Sequence, residues 1–399
     1  MLDLVLVQPP NPQLANPLMY SPLGILYLVS AAQHAGFTVE VADMRSGDKP
    51  LPRARYYGFT ATTPEIEYAR RMAKTVKGKT IVGGAHPSLL PEDCKGDFDY
   101  VVRGEGELVL PQILKGQFRK GTVVHGQRIS NLDSLHFPDW DALEHPFSEE
   151  LFPGERYGRD KVAATITASR GCPFNCAFCA NVYRNPVIFR SPNNIVAELK
   201  ELIDRGVTQF RFEDDIFTLH PKFDELCWKI GVYNISYKCH GRSDLLTEKM
   251  VRALKLSGCE EFGLGVESAD DKVLNLNNKR EDISATIKAV KILKDYGIRV
   301  KTYFIAGLPG ETDETLKLNK EFFMACKPDK WTLSTFTPYP GSDIFNHPAK
   351  YGITIVDDDY SKWWNFADQY NHVLNGQTPE EMWARYTKFY KWLKGESWK

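Results

Sequence analysis

The sequence predicts an α/β protein made of a parallel sheet wrapped by helices, a second strand–helix series coiled into a parallel barrel or part of one, and a small, mainly helical C-terminal region. Three observations predict it. Apolar runs alternate with amphipathic helical stretches across residues 1–125, and again across residues 161–343. Glycine-rich exits fall at the C-terminal ends of the predicted strands, where parallel sheets bind ligands. Three cysteines stand together on one such exit.

In order, residues 2–7 read as a strand that stops at Gln8-Pro9-Pro10 and opens a loop. Ser21 is placed as N-cap and Pro22 as the first residue of a helix that runs to His34 and stops at Gly36. Strands are predicted at residues 37–41, 57–60, 80–84 and 100–102, with a helix at 66–75. The fourth strand exits through Gly83-Gly84 into His86-Pro87, and the fifth into Arg103-Gly-Glu-Gly-Glu107. The connector 44–53 is too short and too proline-rich for a helix, so one face of this sheet is trimmed. Residues 126–160, with Pro138, Pro146 and Pro153, form an ordered linker.

The second series has strands starting near Val162, Val207, Ile235, Glu261, Ile298 and Trp331. Helical patterns lie between them at 195–205, 223–232, 247–257, 283–296 and 312–325. In the C-terminal region, 344–399, Thr378 caps a helix over 379–393, Pro379 fits its first turn, and Glu381 closes a capping box. Met382, Trp383, Tyr386, Phe389, Tyr390 and Leu393 give that helix an apolar face. The face packs on the barrel, or lends some of its aromatics to a substrate cavity.

Of 399 residues, 43% are hydrophobic and 25% charged, as in proteins with two or three packed domains. The net charge of −1 provides no basic footprint for nucleic acid. No uncharged apolar stretch is long enough to span a membrane. The first residues lack the basic region and cleavage site of a signal peptide. Cys94, Cys227, Cys239, Cys259 and Cys326 are scattered, as expected of free thiols in a reducing cytoplasm.

Cys172, Cys176 and Cys179 have the spacing C-x3-C-x2-C, on the loop that leaves the strand beginning at Val162. Thiolates are soft ligands suited to iron–sulfur clusters and zinc. Three cysteines hold three irons of a four-iron cluster and leave the fourth open to a chelating ligand. A structural zinc site is the alternative. Such sites usually complete four ligands, often as two C-x2-C pairs, and no second pair is present.

This spacing, with the aromatic Phe178 before the last cysteine, resembles the signature of the radical S-adenosylmethionine (radical SAM) enzymes, whose cores are partial (β/α)6 barrels. The resemblance implies a [4Fe-4S] cluster on the three cysteines, SAM at its open iron, and cleavage of SAM to a 5'-deoxyadenosyl radical. It also implies an electron donor such as flavodoxin or ferredoxin. Phe178 would lie in the SAM site. Glu213, Asp214 and Asp215 would face the SAM amino group and Arg242 its carboxylate. Glu267 and Ser268 would approach the ribose or amino end, and Ile305, Gly307 and Leu308 the adenine. Each has a plain counterpart: a solvated turn for the acids, core packing for Ile305 and Leu308.

Residues 1–125 resemble the Rossmann-like cobalamin-binding domain that precedes this core in one large subfamily. The matching pieces make Pro9, Pro10, Ser21, Gly24, Gly83, Gly84, His86 and Glu105 cobalamin candidates. No D-x-H-x-x-G run supplies a lower cobalt ligand, and His86, a turn histidine before proline, also suits a structural role. The resemblance implies a cobalamin-dependent methyltransferase acting on an unactivated centre of a small-molecule or natural-product substrate. A cobalamin-independent radical SAM enzyme over a relic sheet is the alternative, and a noncatalytic metal- or corrinoid-binding module a third. Neither a catalytic side chain nor the substrate is named by the sequence.

Overall fold

The computed structural model describes residues 1–10, 16–148, 151, 162–366 and 368–395; part of the predicted linker, Pro153 included, lies outside them. Contacts divide the chain into two compact units, residues 1–166 with 197–209 and residues 167–196 with 210–399.

In the first unit, β1 (Leu2–Gln8), β2 (Val39–Asp43), β3 (Ala54–Thr60), β4 (Lys79–Gly83), β5 (Tyr100–Arg103) and β6 (Thr122–His125) form a sheet in the order β2-β1-β3-β4-β5-β6. Every pair is parallel. Strand exits therefore gather at one edge, and the order reverses direction between β1 and β3, the kind of switch point where such sheets bind ligands. Leu4 to Val7 of β1 are all buried, as a strand covered on both faces requires. Helices α1 (Leu23–His34), α2 (Ile66–Ala73), α3 (Ala85–Leu89) and α4 (Leu110–Leu114) join the strands. Leu4, Leu6, Ile25, Val29, Val102 and Ile113 share one core. The connector 44–53 carries no helix, as expected.

Two sequence expectations shift. Ser21 does not cap α1, which begins at Leu23 with Pro22 outside it; the Ser21 hydroxyl donates instead to the Pro146 carbonyl at 3.0 Å. The short β6 carries no turn or periodicity signal of its own. It exists because Val123 and Val124 pair with Val101 and Val102.

Next come β7 (Val162–Ile166) and a short antiparallel pair, β8 (Ser169–Arg170) with β9 (Ile188–Phe189). They are followed by α5 (Pro192–Asp204), β10 (Val207–Phe212), α6 (Phe223–Gly231), β11 (Ser236–Gly241), α7 (Glu248–Leu256) and β12 (Cys259–Glu267). After these come α8 (Asp271–Leu276), α9 (Ile283–Asp295), β13 (Arg299–Ala306), α10 (Asp313–Cys326) and β14 (Lys330–Thr335). The sheet order β14-β13-β12-β11-β10-β7 follows the chain and is open, a half-barrel. Along β11 and β13 burial alternates: Tyr237, Cys239, Val300, Thr302 and Phe304 are buried, while Lys238, His240, Lys301, Tyr303 and Ile305 on the opposite face are only half-buried.

The chain ends in α11 (Asp343–Asn346), the hairpin β15 (Ile353–Ile355) with β16 (His372–Leu374), and α12 (Pro379–Lys394). The predicted capping box is present at Thr378 and Glu381. Phe389 of α12 meets the rings of Phe304 and Phe323 at 6.5 and 6.1 Å. Such ring pairs contribute about 0.5–1.5 kcal/mol each beyond their buried area. Packing therefore accounts for this part of the apolar face.

Candidate active site

The cysteine loop is tied down at both ends. The β8–β9 pair closes it at its base. Inside it, Cys172 N–H donates to the Tyr183 carbonyl at 3.0 Å and Cys179 N–H to the Cys176 carbonyl at 3.1 Å. Arg184 donates to the carbonyls of Phe174 and Cys179 at 2.6 and 2.7 Å, pinning the loop from within. From outside, Ala177 N–H donates to the Asn277 carbonyl at 2.8 Å and Asn278 Nδ2 to the Asn175 carbonyl at 2.6 Å. Cys176 is buried; Cys172 and Cys179 are half-buried. A cavity of about 590 Å³ reaches Cys176, with Arg184, Asn278, Asp343 and Lys350 also in its walls.

Among the described residues, His86, Asp93 and Cys94 bring three ligand atoms within 4.8 Å of one another. Tetrahedral zinc, with bonds of about 2.3 Å, needs sulfurs about 3.8 Å apart. Three thiols fall one short of that tetrahedron and match three irons of a four-iron cluster. The donor set agrees, since all three ligands are thiols.

Four charged side chains gather beside Cys176. Arg242, at the end of β11, lies with its guanidinium 3.9 Å from the Phe174 ring centre. It forms a two-point ion pair with Asp244 at 2.9 and 3.0 Å and donates to the Lys279 carbonyl at 3.1 Å. Lys279 Nζ is 3.1 Å from Glu281 and 3.4 Å from Glu267. Burial works against this ammonium, but Glu267 and Glu281 hold its pKa above the ordinary lysine value. Burial pushes the Cys176 thiol up, while Lys279 and Arg242 pull it back toward thiolate. Glu267 sits at φ 62°, unusual for a side-chain-bearing residue, where the register between β12 and β13 shifts. That bend turns its carboxylate toward Lys279.

The three predicted acids separate. Asp214 is buried: its carboxylate accepts from Ala168 N–H at 3.0 and 3.1 Å and from the Ser169 hydroxyl, bracing the strand exit that leads into the cysteine loop. Burial raises its pKa to about 6. Glu213 pairs with Arg211 at 3.2 Å, and Asp215 accepts from Asn181 of the loop at 2.9 Å. The Ser268 hydroxyl accepts from Asp270 N–H at 3.2 Å. Phe178, Ile305 and Leu308 share one apolar cluster with Ala177 and Phe336. Gly307 has φ 86°, and a Cβ there would lie 2.6 Å from the Tyr370 ring. Tyr370, whose hydroxyl donates to the Ala306 carbonyl at 3.0 Å, takes up the space that the glycine leaves.

In the first unit, Pro9 and Pro10 follow β1, and Gly83 and Gly84 follow β4. Gly84, at φ 105°, passes so close to Ala61 that a Cβ would meet its carbonyl oxygen at 2.8 Å. Gly24, at the start of α1, has open space around its Cα. Glu105 is buried against Arg128 and the Ile129 N–H. His86 is fully buried, with Nδ1 at 3.3 Å from the Thr63 hydroxyl and Nε2 at 2.9 Å from Asp93. Both nitrogens are thus engaged within the fold. Burial also raises the neighbouring Cys94 thiol to about 12, and Arg70 pairs with Asp93, which disfavours a metal ion on that trio.

Sequence reasoning missed Lys279, Glu281, Phe174 and Arg184. Asn277-Asn278-Lys279-Arg280 looks like a solvated turn. Its only signal is two left-handed residues, Asn278 and Arg280, which a sequence does not display.

Residues 166–322 match the family model described as Radical SAM superfamily, and residues 17–114 that of the B12 binding domain. The chain is 29% identical to an uncharacterized methyltransferase of Pyrococcus horikoshii, over 89% of this chain and 85% of the relative. It is also 29% identical to the anaerobic magnesium-protoporphyrin IX monomethyl ester cyclase of Rubrivivax gelatinosus, over 91% of this chain and 71% of that protein. In fold it is similar to the radical S-adenosylmethionine methyltransferase TsrM from Kitasatospora setae, solved with cobalamin and a [4Fe-4S] cluster. The TM-score is 0.70 and the identity 16%, over 90% of this chain and 78% of that one.

Proposed function

The chain belongs to the radical SAM superfamily, with a B12-binding domain ahead of its catalytic one, and on that premise we propose a cobalamin-dependent methyltransferase acting on an unactivated centre of a small molecule. The observation that carries it is the gathering of Arg242, Lys279, Glu267 and Glu281 beside Cys176, in a loop that offers three thiols, one short of a structural zinc site. When bound, the cluster and SAM supply a 5'-deoxyadenosyl radical, and cobalamin supplies the methyl group.

The chain's own part is to hold and orient. Cys172, Cys176 and Cys179 hold the cluster. Arg242 and Lys279 offer cationic donors to a carboxylate, and Glu267 offers an acceptor to an amine or ribose hydroxyl. Phe178, Ile305 and Leu308 exclude water from the same end of the half-barrel. Pro9, Pro10, Gly24 and Gly83 stand at strand exits and a helix start where a corrin would lie. An electron donor such as flavodoxin or ferredoxin would reduce the cluster. No described helix is long and apolar enough to cross a membrane, and the eight free cysteines suit a reducing cytoplasm.

The helix-free connector 44–53 favours one second reading, a radical SAM enzyme without cobalamin. The test is anaerobic reconstitution with iron, sulfide and hydroxocobalamin, followed by desalting, SAM and reductant. We expect about four irons per chain, retained corrin bands, and both S-adenosylhomocysteine and 5'-deoxyadenosine. Cluster and 5'-deoxyadenosine without corrin would move the function to the second reading. Zinc with no SAM cleavage would sink both.

A further inference from the structure

The half-barrel carries a second polar assembly, deeper along the strands than the cysteine end. On the face of β11 and β13 opposite the helices stand Lys238, His240, Lys301 and Tyr303. Between them on β12 is Gly263, paired with His240 on one side and Lys301 on the other. His240 and Tyr303 close over this glycine, where a Cβ would meet His240 Cδ2 at 2.4 Å and Tyr303 Cε2 at 2.9 Å. They are joined by a 2.9 Å hydrogen bond between Nε2 and the hydroxyl. Burial and the nearby lysines hold the imidazole neutral, with its pKa lowered to about 4.

Among the described residues, the charges here do not balance. Arg211 is paired with Glu213 at 3.2 Å and Lys330 with Glu261 at 2.8 Å. Lys238 and Lys301 complete the set, so four cations face two carboxylates. Among the described residues, neither Lys238 nor Lys301 makes an ion pair or a hydrogen bond; Lys301 Nζ only faces the Tyr303 ring at 4.8 Å. Burial, with Arg211 and Lys301 nearby, pushes the Lys238 pKa down to about 7, and burial also lowers that of Lys301. A buried amine without a counter-ion destabilises a fold. Two together, on one side of a locked neutral pair and nearer the strand starts, form a charge imbalance with a fixed geometry.

We propose that Lys238 and Lys301, with the His240–Tyr303 pair beside them, form a subsite for an oxyanion of the substrate, a carboxylate or a phosphate. Two ammonium groups suit a group that presents two or more charged oxygens. From Gly263 to Glu267 is four residues along β12, about 13 Å of strand. A substrate anchored here by its anion therefore has its reacting centre on the order of 10 Å away, at the cofactor end. The subsite rests on the methyltransferase proposal for what it serves, not for its geometry. SAM also carries a carboxylate and cobalamin a phosphate, so the test must distinguish those sources.

The experiment is calorimetric titration of the holoenzyme, loaded with cluster, cobalamin and SAM, with inorganic phosphate and separately with succinate. One of the two should bind saturably. Lys238→Met and Lys301→Met should each weaken it about tenfold or more, as loss of a charge-assisted contact does. Lys238→Arg should bind within a few-fold of the natural chain. SAM and cobalamin occupancy should match the natural chain in all three variants. Failure of both probes to saturate, or unchanged affinity in the methionine variants, overturns the subsite. Loss of SAM or cobalamin from those variants overturns it too, because the amines would then serve a cofactor. Formation of 5'-deoxyadenosine by the natural chain reports the enzyme class separately, so failure of one proposal is not mistaken for failure of the other.

Discussion

Replacing Asp214 with alanine should release the cluster while leaving the half-barrel folded. Its carboxylate accepts from Ala168 N–H through both oxygens and from the Ser169 hydroxyl, and Cys172 follows three residues after Ser169. A hydrogen bond to a charged group contributes about 1.5–3 kcal/mol, and a buried N–H left unpaired costs about 1–3 kcal/mol more. Against this, alanine removes a carboxylate whose burial raises its pKa to about 6 from 3.8, at most about 3 kcal/mol of relief. With both donors' bonds lost, the net loss is about 1–6 kcal/mol, concentrated at the root of the cysteine loop. Asp214→Asn keeps one oxygen as acceptor and loses the charge, so it should fall between the two. The assay is iron and sulfide per chain after reconstitution and desalting, with a urea midpoint on the same samples. Alanine variants that keep full iron would refute the bracing role. So would a variant with an intact cluster that no longer binds SAM, since Asp214 would then act on SAM itself.

Asp214 also has a pH signature: its folded pKa lies above the unfolded one, so the folded form binds the proton more readily. Its stabilisation is fully present below about pH 4 and is lost as pH rises through about 6, and stability curves of the natural chain and Asp214→Asn should diverge across that window. Lys238→Met should raise the urea midpoint at pH 6. The Lys238 pKa, lowered from 10.5 to about 7, sets an upper bound of about 5 kcal/mol, and partial solvation reduces the expected gain to about 1–2 kcal/mol. That gain should shrink as pH rises from 7 toward 10.5, where the unfolded lysine also loses its proton; a lowered midpoint would refute the missing counter-ion. Gly307→Ala should cost about 2–3 kcal/mol by urea denaturation, from a left-handed backbone and the Tyr370 ring together, with part recovered in a Tyr370→Ala background. His86→Asn should lower stability by about 1–3 kcal/mol yet leave the cob(II)alamin electron paramagnetic resonance spectrum unchanged; loss of a nitrogen splitting would show that His86 had been a ligand.

The parallel strands, their order of appearance and the cysteine loop were legible because each is local. Strand exits announce themselves through glycine and proline, as at Gly83-Gly84, and the capping box at Thr378 and Glu381 spans four residues. What was not legible is which partner each polar group finds. Three adjacent acids looked alike in sequence. In the fold, Asp214 turns in to Ala168 and Ser169, while Glu213 and Asp215 go to Arg211 and Asn181. Ser21 has the composition of a helix cap, but a long-range acceptor, Pro146, takes its hydroxyl.

By itself, then, the sequence determined the two parallel sheets and the three-thiol loop at a strand exit, because spacing along the chain decides which groups leave the same strand end. Only the tertiary structure decided the charged surroundings of that loop and the unpaired amines behind it. Asn278, next to Lys279, meets Asn175, next to Cys176, across 103 residues of chain. Lys238 and Lys301 become neighbours only when β12 lies between their strands. Contacts of that kind follow from how strands stack and which side of each faces inward, and no local pattern encodes them.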